Sequence, residues 1–102
     1  MGGRAMELIR IITPPRSLYV FGKIVAHDMM QRVELGRVSQ GGEMFIPALE
    51  PIDLGIAWGR GSTPPVRLRF TAMPGRTYLL YWLKEDFGAG MGVEEISPSL
   101  HL

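Results

Sequence analysis

The sequence predicts an all-β domain of seven to eight short strands, packed as an antiparallel sandwich or, alternatively, closed into a small barrel. Three observations carry this. Short apolar runs rich in β-branched and aromatic residues recur every 8–12 residues or so, each bounded by turn residues. The 13 Gly and 8 Pro are spread along the chain as punctuation and do not gather into a tract. No window of about 11 residues keeps a 3.6-residue apolar period free of a Gly or Pro breaker. At 102 residues there is room for one domain.

Taken in order, Glu7 to Ile12 forms a short leading segment closed by Pro14-Pro15. Arg16 to Ala26 (RSLYVFGKIVA) reads as a strand, apolar on both faces, with Gly22 marking a bulge or a close approach of backbones. A turn follows at His27 to Gln31, with one helical turn over His27 to Leu35 as the competing reading. Arg32 to Val38 is a weaker strand with Val33 and Leu35 inward, ended by Ser39-Gln40-Gly41-Gly42. Met44, Ile46 and Ala48 alternate, and Pro47 assigns that strand to a sheet edge. Ile52, Leu54, Ile56 and Trp58 alternate with Asp53, Gly55, Ala57 and Gly59, the cleanest half-buried pattern in the chain. After the loop GRGSTPP, Val66, Leu68, Phe70 and Ala72 alternate with Arg67, Arg69 and Thr71. Thr77 to Leu83 is a strand, KEDFGAGMG a loop, and Val93 to Ser97 a last short strand.

Met73-Pro74-Gly75-Arg76 suits a type II turn, because Pro presets the first φ and Gly takes the positive φ of the next position. Type II turns splay hairpin strands. The step is therefore expected to be a corner at which the chain leaves one sheet for the other. Tyr78 would anchor it, filling the end of the core while its hydroxyl bonds back to upstream backbone.

The stretch Pro74-Gly75-Arg76-Thr77-Tyr78, between a half-buried strand and a second apolar strand, resembles fibronectin-type and related small bacterial β-sandwich domains. It is also similar to PEGA-like modules and to an uncharacterised sandwich family of bacterial lipoproteins. The likeness spans Ser17 to Ile96 in strand order, and its specific part is those five residues. It implies an immunoglobulin- or fibronectin-like sandwich serving as a structural or interaction module, with no catalytic residues to carry over. The chain departs from the lipoprotein relatives in having no signal peptide and no lipid-accepting Cys.

Eleven basic and ten acidic residues leave a net charge of +1, too small a field to steer the chain to nucleic acid or an anionic membrane. The absence of Cys excludes disulfides, thiolate chemistry and cysteine zinc sites. The first apolar run carries Glu7 and Arg10, unlike a signal peptide, so a cytoplasmic location is expected. No apolar stretch reaches the roughly 18 residues of a membrane span. Residues 1–15 read as a leader able to add a strand, with Met6 a candidate start; 16–97 as the sandwich; 98–102 as a tail.

No catalytic or metal constellation assembles from the residues, and no cofactor is expected. His27-Asp28 is half of a catalytic pair at most, and neither Ser17 nor Ser39 sits in a Gly-x-Ser-x-Gly elbow. His27 and His101 are the only histidines, and a zinc or copper site would need more ligands at close spacing. Glu85-Asp86 and Glu94-Glu95 are neighbours that a strand turns to opposite faces. The glycines of GRGSTPP and FGAGMG lack the Lys-Ser/Thr of a phosphate loop. Met29 and Met30 beside His27 suggest Cu(I), yet Met more commonly fills gaps in cores. Arg60, Arg67, Arg69 and Arg76 form the one local basic cluster.

In TYLLYWL, if Tyr78, Leu80 and Trp82 enter the core, Leu79, Tyr81 and Leu83 face out, and in the reversed register Tyr78, Leu80 and Trp82 do, so one apolar set is turned outward. Exposed apolar faces mark contacts. The cover is either internal (Leu8 to Ile12, or RSLYVFGKIVA), a second copy, or a foreign partner or ligand. The expected function is a non-enzymatic interaction or assembly module using Leu79, Tyr81 and Leu83 with Arg67 and Arg69. The alternative is a carbohydrate- or lipid-binding domain in which Trp58 or Trp82 stacks on the ligand. The expected partner is thus a protein or a second copy, with a small ligand as the other option, and without nucleic acid or a membrane span.

Overall fold

A computed structural model describes residues 7–17, 20–59, 66–83 and 90–96. The strands are β1 Leu8–Ile12, β2 Ile24–Asp28, β3 Val33–Val38, β4 Glu43–Pro47, β5 Ile52–Trp58, β6 Val66–Phe70, β7 Thr77–Leu83 and β8 Gly90–Ile96. They form two four-stranded sheets, β4-β1-β7-β8 (sheet A) and β3-β2-β5-β6 (sheet B). The sheets pack face to face as an open sandwich and do not close into a barrel. All neighbours are antiparallel except β1 and β7, which run parallel with Ile11 beside Tyr78. No helix occurs among the described residues, and Met29 to Arg32 is a plain turn.

Alternation builds the core. Ile9, Ile11, Met44, Ile46, Tyr78 and Leu80 of sheet A meet Ile24, Ala26, Ile52, Leu54, Ile56 and Leu68 of sheet B, all buried. Asp53 and Gly55 on the other face of β5 are buried too, because the Arg67 and Arg69 side chains cover Asp53 and Met29 folds over Gly55.

Three strand assignments change. Leu8–Ile12 does add a strand, but beside β7 rather than across its outer face: it is an interior strand of sheet A, with Ile9 and Ile11 in the core. The RSLYVFGKIVA strand begins only at Ile24 and runs on to Asp28. Ahead of it, residues 13–17 and 20–23 are the described parts of the crossover from sheet A to sheet B, and Gly22 takes φ 90°. A Cβ at Gly22 would stand 2.6 Å from the Cα of Gly59, so the expected close approach of backbones is real. The last strand starts at Gly90 rather than Val93, because Gly90 to Gly92 pair with Leu83 to Tyr81.

The step from β6 to β7 is the inter-sheet corner. Arg76 N–H donates to Met73 O at 3.2 Å, and Gly75 takes φ 81°. Met73 N–H donates to Tyr78 Oη at 2.8 Å, and that hydroxyl donates to Glu95 Oε1 at 3.2 Å. Tyr78 is buried, with its ring 5.2 Å from that of Phe70.

Candidate functional site

The two outer faces of the sandwich differ in chemistry. On sheet A, inward placement of Met44, Ile46, Ile9, Ile11, Tyr78 and Leu80 turns their neighbours outward. Registration lays these out in rows. Phe45 stands beside Arg10, then Thr77, then Ile96; Glu43 beside Ile12, Leu79 and Glu94; Tyr81 beside Gly92; Leu83 beside Gly90. Leu8 and Pro47 extend the surface at one corner. The result is an apolar sheet face with few charges, and Arg10 is ion-paired to Glu43 within it. Phe45 is 59% exposed, Leu83 43% and Leu8 42%. Tyr81 is half-buried because its ring lies down on Gly92, where an added Cβ would meet the ring at 2.4 Å. Sequence reasoning named Leu79, Tyr81 and Leu83 and missed Phe45, Leu8 and Ile12. The alternation that puts Met44 and Ile46 inside already puts Phe45 outside.

Arg67 and Arg69 are not on this face. They project from β6 on the outer side of sheet B, with Leu68 between them buried inward. The structure therefore brings Leu79, Tyr81 and Leu83 together and places the two arginines on the opposite surface. The reason is the corner: β6 and β7 follow one another in sequence but belong to different sheets.

The arginines have a partner of their own. Arg67 grips Asp53 with two hydrogen bonds, Nε to Oδ1 at 2.8 Å and Nη2 to Oδ2 at 2.7 Å. Arg69 Nε lies 3.5 Å from the same carboxylate. Hydrogen bonding from Arg67 holds the Asp53 carboxyl below its ordinary range, burial opposes this, and the charges of Arg67 and Arg69 reinforce it. Nearby, Arg37 pairs with Glu34 at 3.1 Å. Met29 folds back over Gly55, its Sδ where a Cβ would fall. Sheet B thus turns a largely ionic face to solvent.

The remaining constellations disperse. Asp28 serves the β2–β3 turn, its carboxylate accepting from Met30 N–H at 3.0 Å. Met30 points to solvent while Met29 packs on the sheet. Among the described residues no three His, Cys, Asp or Glu side chains gather where a metal would sit. Glu95 turns to Arg76 and Tyr78, while Glu94 stands on the opposite side beside Leu79. Trp58 and Trp82 meet edge-to-face at 5.4 Å and close one end of the core, with Trp82 Nε1 donating to Pro15 O at 3.0 Å. They pack on each other rather than forming a flat platform for a sugar. Arg60, Glu85, Asp86 and His101 lie outside the described residues, as do the loop residues 60–65 and 84–89.

Compared with protein-family models, curated proteins and solved structures, the chain matches none. A functional reading must come from the surfaces themselves.

Proposed function

We propose that this protein is a non-enzymatic assembly module, and that it pairs with a second copy of itself through the outer face of sheet A. The carrying observation is the contrast between the two faces: Leu8, Ile12, Phe45, Leu79, Tyr81 and Leu83 share one, whereas sheet B presents ion pairs. Three features favour a second copy as the occupant. The face is a broad sheet surface rather than a groove shaped for a peptide. Its arginine is neutralised in place by Glu43, so an identical face can approach without an unpaired cation being buried, while Glu94 stands on the β8 edge strand, where a rim carboxylate stays in water. Four strands about 4.8 Å apart and some 20 Å long present a flat footprint on the order of 400 Å². With side-chain relief added, two such faces come near the roughly 1,200 Å² at which specific interfaces begin. Sheets packed face to face commonly align about 30° apart with their side chains interdigitated.

The same features argue against Arg67 and Arg69 as contact residues, since both serve Asp53 on the other surface. Gel filtration of Phe45→Glu and Arg69→Ala separates the faces. Phe45→Glu elutes as a monomer while Arg69→Ala elutes with the unaltered protein. Equal elution of all three at monomer size contradicts the proposal.

A further inference from the structure

We propose that the cleft between Arg16 with residues 20–23, on one side, and the β3–β4 turn, on the other, binds a small organic anion, a phosphomonoester carrying a flat apolar arm. This does not depend on the assembly reading, because the cleft lies at the Trp58 and Trp82 end of the sandwich and not on the outer face of sheet A.

The cleft has a volume of about 320 Å³ and is lined by Arg16, Val20, Phe21, Gly22, Lys23, Ser39 and Gln40. That is at the lower end of the range for small-ligand sites, roughly 300–1,000 Å³. Its walls are fixed from several sides. Gln40 is committed to the crossover backbone: Oε1 accepts from Ser17 N–H at 3.0 Å, and Nε2 donates to Val20 O at 3.0 Å and to Gly22 O at 3.1 Å. Gly41 N–H donates to Pro14 O at 2.7 Å. Gly22 touches the backbone of Gly59, an approach that only a glycine permits. A wall held this way presents its side chains with little further ordering on binding, which favours affinity.

What the wall presents is unusual for this chain. Arg10, Arg37, Arg67, Arg69 and Arg76 each face a carboxylate within 4 Å. Among the described residues, Arg16 and Lys23 have no such partner and no carboxylate lines the cleft. Arg32 shares that condition, but it sits in the β2–β3 turn at the far end of the sandwich. Between the two cations in sequence stands Phe21, 74% exposed on the cleft wall. A hydrophobic ring held out by a fixed backbone, flanked by two uncompensated cations, matches a ligand with a charged head and a flat apolar arm.

Two cations favour a dianion over a single carboxylate, and a phosphomonoester carries about −1.5 to −2 at neutral pH. The Arg16 fork takes two phosphate oxygens side by side, Lys23 supplies a mobile point charge, and the Ser39 hydroxyl can donate to the third oxygen. Phe21 covers the apolar arm. Gln40, with its amide spent on the loop, is a positioning residue and does not hold the ligand.

Phenyl phosphate is the probe, read by NMR shifts of backbone amides in the unaltered chain and in Arg16→Gln, Lys23→Gln and Phe21→Ala. All three side chains are free of hydrogen bonds to the other described residues, so the variants retain the parent spectrum elsewhere. Saturable binding is expected, with shifts centred on Gly22, Lys23 and Gln40. Each charge removal weakens it roughly three- to tenfold, as loss of one charge-assisted contact at an exposed site implies. Phe21→Ala weakens phenyl phosphate while leaving inorganic phosphate unchanged, and phenol does not bind. Absence of saturable binding, shifts that map elsewhere, or an affinity in Arg16→Gln and Lys23→Gln no weaker than that of the unaltered chain each overturns the site.

Discussion

Tyr78 shows how much one side chain settles at the residue scale. Its ring is buried against Phe70, and its hydroxyl receives Met73 N–H, a backbone donor that the turn leaves without a strand partner. Tyr78→Phe keeps the ring and strands that donor. The expected loss is about 1–3 kcal/mol in urea unfolding, the range for an unsatisfied buried group. A loss near zero would mean that water replaces the hydroxyl. Asp53 is the second such residue. Its folded-state pKa lies below the ordinary 3.8, so the stabilising effect of its pairing with Arg67 is fully present above that value and is lost as pH falls through the depressed one. Asp53→Asn therefore lowers the unfolding midpoint at neutral pH and flattens the acid limb of stability against pH. An acid limb unchanged in the variant would show that the ion pair contributes nothing.

At the scale of elements, strands with strict alternation were legible in the residues. Ile52 to Trp58 and Val66 to Phe70 lie where period two puts them, and Pro47 does mark an edge strand. The corner was legible because turn chemistry is local: Pro74 and Gly75 dictate a type II geometry whatever the rest of the chain does. Two elements were not. RSLYVFGKIVA has the composition of a strand, but the Gly22–Gly59 contact and the amide of Gln40 claim the backbone groups that strand pairing would need. Neither partner is near in sequence. β1 reads as a leader able to add a strand, but its place in the sheet was not legible, because its ladder comes from β4 and β7, more than 30 residues away. Ile11→Ala tests its place in the core. Ile11 is fully buried, so a loss of about 2–5 kcal/mol is expected, against little for the outward Leu8→Ala. Equal, small effects would return β1 to the status of an appendage.

For the whole molecule, the decisive feature is which outer face each strand's leftover residues occupy, and the corner governs that. Arg67, Arg69 and Leu79, Tyr81, Leu83 are about ten residues apart in sequence, so a reading strand by strand groups them as one site. The corner sends them to opposite surfaces and sorts the molecule into an ionic face and an apolar one. Tyr81 recovers part of its exposed area by lying on Gly92, and Phe45, Leu8 and Leu83 remain open to solvent. Sedimentation equilibrium of the unaltered chain over a wide concentration range tests the central claim most directly. Rising concentration should bring the mass to twice that of the chain, with salt having little effect because the contact is apolar. A single-chain mass at every concentration would contradict it.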